Sequence, residues 1–218
     1  MIFQQFCGIN VVLFYNAKIF KGAGVSDPQL VTIFVSLSQF VATFVACLIV
    51  DKTGRRILLM VGGAIMFICM FLLGVYFDLV VVTDKSEKVI SIFGKYSHTI
   101  PVSHISWLAI GSVIVYIVFF SLGWGPLPWL LMSEIFPPRA KAMASGMVTL
   151  VNWLFVFIVT KSFKNLKEAL YDQGTFWFFS AFSLASVFFT MFVVFETKGK
   201  TLEEIEEHFS NSNRTENE

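Results

Sequence analysis

Gly123-Trp124-Gly125-Pro126-Leu127-Pro128-Trp129 lies inside an otherwise apolar run that extends from Ile105 to Met132. Proline removes a backbone donor and clashes with the turn before it, and glycine favours a helix least among the remaining residues, so this stretch breaks a regular helix. In water the result would be a loop. In a bilayer, freed backbone groups are tolerated only where protein or a water-filled cavity surrounds them. A broken apolar helix carrying two tryptophans therefore points to the wall of a path across the membrane.

Composition agrees with a membrane setting. The 218 residues are 56% hydrophobic and include 26 phenylalanines, against roughly 45 to 50% apolar content in soluble domains. The formal net charge of +1 gives no basic field for nucleic acid. Cys7, Cys47 and Cys69 are odd in number and lie in apolar runs, which argues for buried thiols rather than a disulfide framework.

Taking about 20 apolar residues as the length of a crossing, six spans emerge: 1–17, 29–50, 57–77, 105–132, 143–160 and 175–195. None contains Asp, Glu, Lys or Arg. The expected fold is an all-α membrane protein: six transmembrane helices over residues 1–195, then a polar tail over 196–218. The first span is short, opens on Gln4 and Gln5 and has no basic start or small-residue cleavage site, so it does not read as a signal peptide. It reads as a helix that lacks its beginning, in a chain that is a fragment.

Loops after spans two and four, together with the tail, fall on one side of the membrane, and loops after spans one, three and five on the other. Lys plus Arg divides evenly between them, eight and eight, so charge does not orient the bundle. The sequon Asn213-Arg214-Thr215 lies in the tail and is usable only in a secretory lumen.

Polar residues inside the spans carry the next signal. Thr32, Ser36, Gln39 and Thr43 recur at helical steps and fall within about 60° of arc. Ser145, Thr149 and Asn152 repeat the device in span five. Small hydroxyls commonly glue helices together, but the amides Gln39 and Asn152 need two donors and an acceptor satisfied. Span one carries three amides, Gln4, Gln5 and Asn10, costly in hydrocarbon unless they face something polar. On an ideal helix Gln5 and Asn10 lie about 140° apart. They share a face only if Gly8 loosens the turn; otherwise a ligand must lie across the helix. Amides donate to one hydroxyl and accept from its neighbour without formal charge, and tryptophan faces suit the C–H face of a ring. The set reads as a site for a neutral polyhydroxy ligand, a sugar.

Six motifs then stand in order: Gln4-Gln5-x-x-Gly8-x-Asn10; Asp51-x-x-Gly54-Arg55-Arg56; Gly123-x-Gly125-Pro126-x-x-Trp129; Ser133-Glu134-Ile135-Phe136-Pro137-x-Arg139-x-Lys141-Ala142; Asn152-Trp153; and Glu196-Thr197-Lys198-Gly199-Lys200-Thr201-Leu202-Glu203-Glu204-Ile205. This order resembles helices seven to twelve, the C-terminal half, of the facilitative sugar transporters of the major facilitator superfamily. Within that family it is most similar to the branch that holds the type-8 glucose and insect trehalose carriers.

The resemblance implies substrate-binding roles for Gln4, Gln5, Asn10, Gln39, Trp129 and Asn152, with Trp129 beneath the sugar. It implies that Tyr15 helps close an outer gate, that Phe120 lines the path, and that Gly123, Gly125, Pro126 and Pro128 form a bending element. Trp124 either shares that path or packs between helices. Asp51, Arg55, Arg56, Glu134 and Arg139 resemble a charged cluster that locks the cytosolic face; paired guanidiniums and carboxylates bias such two-state rearrangements by a few kcal/mol. Read without the resemblance, the same charges are interfacial anchors. Thr201 and Glu204 suggest the capping box of a short tail helix. Three positions depart from the family: Phe195 replaces a usual proline, Ser121 stands where some hexose carriers have an acid, and Val156 replaces a further amide.

The implied activity is facilitated diffusion of a neutral sugar, a hexose such as glucose, by alternating access. The implied partners are a monosaccharide or disaccharide, the lipid bilayer and a missing N-terminal six-helix half, with no nucleic acid, cofactor or metal. The setting is multi-pass, in the plasma membrane or an endosomal or lysosomal membrane. A proton-coupled symporter and a non-transporting sugar receptor or sensor are the alternatives. An enzyme is not expected, because no span holds an acid, a histidine or a metal-ligand cluster.

Overall fold

The computed structural model describes residues 1–22, 27–84, 106–136, 140–200 and 204. All regular structure among them is helical: α1 (Ile2–Phe6), α2 (Ile9–Gly22), α3 (Pro28–Thr53), α4 (Arg55–Asp84), α5 (Ser106–Phe119), a π turn (Phe120–Trp124), α6 (Leu127–Ile135) and α7 (Lys141–Val193). Helix α3 starts where the Asp27 carboxylate accepts the Leu30 N–H at 3.1 Å, with Pro28 in the first turn.

Among the described residues, four stretches are long and apolar enough to cross a bilayer: Gln29–Thr53, Arg55–Asp78, Ser106–Ile135 and Lys141–Val193. The last has 53 residues. At 1.5 Å per residue it would reach about 80 Å, more than twice the roughly 30 Å of a hydrocarbon core, so it has the length of two crossings. Its break is at Tyr171, with φ 59° and ψ −177°.

Two expectations change at the level of helix ends. Lys161–Gly174, expected as a loop, is helical apart from Tyr171. No Gly or Pro interrupts residues 147–173, and Lys164 reaches Glu168 at 3.8 Å one turn on, so nothing local stops the helix. The first span, expected as one helix over 1–17, breaks at Cys7–Gly8 and continues to Gly22. The capping box at Thr201 lies outside the described residues, of which only Glu204 is helical there.

The core forms between α4, α5 and α7 around Met66, Met70, Tyr76, Tyr116, Ile117 and Phe176. Against α4, helix α7 presents Ser180, Ser183, Ser186 and Thr190, each at most 2% exposed. Such small residues let helix backbones approach where lipid gives no hydrophobic drive. Their hydroxyls are satisfied: Ser183 donates to the Phe179 carbonyl at 3.0 Å, Thr190 to that of Ser186 at 2.8 Å, and Ser180 crosses to Phe67 of α4 at 3.1 Å. Outside, α3 exposes Ile33, Phe34, Leu37, Phe40 and Phe44, an inversion suited to lipid or to another apolar protein surface.

Candidate functional site

The site begins at the break in the first span. Gly8 has φ +91°, and a Cβ there would lie 2.8 Å from the Phe179 ring, so this position needs glycine on both counts. The Cys7 carbonyl is caught by the Tyr116 hydroxyl of α5, which donates to it at 2.9 Å. Glycine thus loosens the turn, the first of the two alternatives that the Gln5–Asn10 spacing left open.

With the helix broken, the amides meet. Asn10 Nδ2 donates to Gln5 Oε1. Gln5 Nε2 donates to Asn152 Oδ1 at 2.6 Å, and reaches Gln4 Oε1 at 3.5 Å. The chain joins α1, α2 and α7, and every member is uncharged. Gln4, Gln5 and Asn152 are buried, whereas Asn10 is half-buried and forms the accessible end.

Gln4 is turned to the other broken element. Its Nε2 donates to the Trp124 carbonyl at 2.7 Å and to the Gly125 carbonyl at 3.0 Å. In the π turn the Gly125 N–H returns to the Phe120 carbonyl at 2.7 Å, a five-residue step instead of four. Pro128 has no N–H for the carbonyl four residues back, that of Trp124. Gln4 supplies the missing donor. Phe120, Gly123 and Trp124 are buried; Gly125, Pro126 and Pro128 are partly so. Trp124 is 4% exposed, and its indole N–H donates to the Leu59 carbonyl of α4 at 3.0 Å. Of its two alternatives, packing between helices is the one seen.

Gln39 on α3 and Trp129 on α6 are both half-buried. Among the described residues no hydrogen bond joins their side chains to the amide chain. Of the hydroxyls around Gln39 and Asn152, Ser36, Thr43 and Thr149 donate to the carbonyls four residues back, of Thr32, Gln39 and Ser145, at 3.0, 2.9 and 2.8 Å, whereas Thr32 crosses to Asn16 Oδ1 of α2 at 3.4 Å. Tyr15 packs on Phe163 with centroids 4.7 Å apart and lines a cavity of about 310 Å³ with Phe77, Phe176 and Lys167.

At the Gly54 end of the bundle the charges converge. Arg55 Nη2 donates to Glu134 Oε1 at 3.0 Å and to Asp51 Oδ1 at 3.1 Å. The Arg55 and Glu134 side chains are 12% and 20% exposed but Asp51 is 80% exposed, so the Glu134 pair is the one shielded from solvent. Thr197 Oγ1 donates to Glu134 Oε2 at 2.6 Å. The Glu196 carboxylate accepts the Arg55 and Arg56 N–H groups at 3.0 and 3.1 Å, where the first turn of α4 leaves donors open. Gly54, with φ +94°, makes room for it: a Cβ there would lie 2.8 Å from Glu196 Oε2. The Arg56 guanidinium donates to the Met191 carbonyl. Arg139 lies outside the described residues.

Three participants were not singled out from sequence. Glu196 and Thr197 stood in a quoted motif without an assigned partner, and Tyr116 had no signal beyond a hydroxyl in an apolar run.

The family model for sugar (and other) transporters matches residues 1–209. The chain belongs to that family. It is 42% identical over 210 residues to the facilitated glucose transporter member 8 of Mus musculus, covering 96% of this chain and 44% of that protein. It is also 42% identical over 209 residues to trehalose transporter 1 of Drosophila melanogaster, covering 94% and 22%. The chain thus spans less than half the length of the curated relatives it matches. Among solved structures it is similar to the major facilitator superfamily proton:xylose symporter XylE bound to 6-bromo-6-deoxy-D-glucose: TM-score 0.76, 33% identity, covering 94% of this chain and 40% of that one. The inward-open XylE of E. coli is similar at TM-score 0.71 and 31% identity, covering 94% and 39%. The family member described here therefore has the fold of one half of a major facilitator superfamily bundle.

Proposed function

We propose that this chain is the sugar-recognising half of a carrier that moves a neutral sugar, a hexose such as glucose, down its gradient by alternating access. The observation that carries this reading is the uncharged amide chain Asn10–Gln5–Asn152. A hydroxyl arriving at Asn10 exchanges one amide partner for another of the same kind, so a polyol replaces these bonds without burying a charge. Trp129, half-buried on the adjoining broken helix, is the stacking face for the sugar's C–H side. Gly8 and the π turn are the two bending points, and Tyr15 packed on Phe163 is the outer gate.

The partner is an N-terminal six-helix half that closes the other side of the path. The charged end, assigned to the cytosol, holds this half's helix ends together through Arg55, Glu134, Glu196 and Thr197. The setting is the plasma membrane or an endosomal or lysosomal membrane. A proton-coupled variant of the cycle draws its support from the XylE neighbour, which is a proton symporter.

The test is a chimaera in which this chain replaces the matching segment of the mouse relative, reconstituted in liposomes. Saturable uptake of labelled glucose that is lost in Gln5→Leu is the expected outcome. Absence of uptake of glucose, trehalose and xylose would overturn the reading, and uptake driven by an imposed proton gradient would select the symporter.

A further inference from the structure

At the end of the bundle opposite Gly54 lies the cavity behind Tyr15. It sits where α2, the far end of α4 and both arms of α7 meet, before and after the break at Tyr171, and its volume is about 310 Å³. That is the small end of ligand pockets, which run from about 300 to 1,000 Å³, and it suits a single chain or ring system. Ile19, Phe77, Phe163 and Phe176 form its apolar floor; all are buried, and Phe77 stacks on Phe176 with centroids 5.3 Å apart. Its mouth carries Lys164, Lys167 and Asp172. Lys167 Nζ meets Asp172 Oδ1 at 2.7 Å. Lys164 reaches Glu168 at 3.8 Å, with side chains 83% and 67% exposed, and an exposed pair of this kind holds a lysine weakly.

A sugar suits this lining poorly, because the floor leaves its hydroxyls without partners. An apolar chain suits it well. Phe77 stands next to the end of the apolar stretch Arg55–Asp78, so the floor is at hydrocarbon depth and the lysine heads reach toward the headgroup level. Two of the three charges at the mouth are positive, and the negative one is held by Lys167, which leaves Lys164 to an anion. We propose that the cavity is a binding site for a single-chain anionic amphiphile of the fatty carboxylate class, its tail among the phenylalanines and its head on Lys164, and that the occupant acts on the outer gate from behind. Tyr15 and Lys164 also border a second, more open hollow of about 690 Å³, lined by Trp153 and Phe157, so Tyr15 stands between the two. Its ring rests on Phe163, with centroids 4.7 Å apart. A tail packed against Phe163 holds that pair of rings together, and the gate opens less readily. This action on the gate rests on the transport reading above; the binding site does not.

The probe is dodecanoate with a diazirine at its tail, photolysed on the full chain in nanodiscs and mapped by peptide sequencing. Labelling is expected at Ile19, Phe77 or Phe176, to saturate, and to be competed by plain dodecanoate. Lys164→Gln, a change at an exposed side chain that leaves the floor intact, is expected to weaken binding about fivefold. Phe176→Trp, which fills the floor, is expected to abolish it. Labelling spread over lipid-facing Phe40 and Phe192, or confined to Trp153 and Phe157, overturns the site. Equal competition by dodecyltrimethylammonium overturns the anion, and equal competition by lysophosphatidylcholine assigns the mouth to a bilayer headgroup and overturns the free carboxylate. In the chimaera, dodecanoate is expected to lower kcat for glucose about threefold at unchanged KM, and Lys164→Gln to relieve this without altering uptake in its absence. A raised KM at unchanged kcat places the amphiphile in the sugar path and overturns action from behind the gate. If the chimaera carries no sugar, the transport reading fails by itself, and the labelling still decides whether the cavity binds the amphiphile.

Discussion

At the residue scale, the two tryptophans of the opening stretch part company. Trp124 is 4% exposed and hydrogen-bonded to Leu59, so its ring is part of the packing between the π turn and α4. Trp129 is half-buried and keeps an accessible face. Trp124→Ala is expected to cost about 3 kcal/mol or more of stability through the cavity it leaves and the loss of the indole hydrogen bond to Leu59. Trp129→Ala is expected to leave folding nearly intact and to weaken sugar binding about tenfold, close to 1.4 kcal/mol. Thermal unfolding in detergent and sugar titration of the chimaera, run side by side on both variants, check the division. Equal losses of affinity at equal stability would undo it. The same reasoning explains why sequence left Trp124 open: both tryptophans sit in one motif, and only the position of Leu59, 65 residues away along the chain, decides between them.

At the scale of elements, the breaks carry the information. Tyr171 interrupts α7 at φ 59° and ψ −177°, a region that is nearly closed to residues with a Cβ and costs about 1 to 3 kcal/mol. Its side chain is 60% exposed, so little packing is lost on truncation. Tyr171→Gly is therefore expected to stabilise the chain by about 1 kcal/mol, read as a higher Tm, whereas Tyr171→Val is expected to lower it. A lower Tm for the glycine variant would show that the tyrosine ring holds the turn. The break was not legible in sequence, because nothing between 147 and 173 is Gly or Pro and the local propensities are helical throughout. The break at Gly8 was legible only as one of two alternatives: an amide pair about 140° apart on an ideal helix has no common face unless the turn loosens, and a ligand lying across the helix would have met the same spacing. The π turn was half legible. Two prolines and two glycines announced a disrupted ladder, but not that Gln4, 120 residues distant, would satisfy it. The all-helical membrane fold followed from composition and span length, which are local quantities. The partners of Gln4, Tyr116 and Glu196 did not, because each is a contact between elements far apart in the chain.

At the scale of the molecule, the amide chain has one wall. Gln5 on α1 and Asn152 on α7 are buried, and Asn10 is the half-buried, accessible end. Helices α3 and α7 expose Phe40, Phe44, Trp153 and Phe157, apolar surface of the kind that packs against lipid or another protein. On the transport reading proposed above, alternating access requires two bodies that rock about the ligand, and this chain would be one of them. The charged end works in the same direction. Glu196 and Thr197, just after α7, tie the end of that helix to the first turn of α4 and to Glu134, so hydrogen bonds hold these helix ends together. The expected outcome is that liposomes containing this chain alone show no saturable glucose uptake, and that co-reconstitution with the separately expressed N-terminal half of the mouse relative restores it. Saturable uptake by the chain alone, unaffected by Gln5→Leu, would place the path elsewhere in the bundle. Saturable uptake abolished by Gln5→Leu would instead show that two copies of this half close on one another around the sugar.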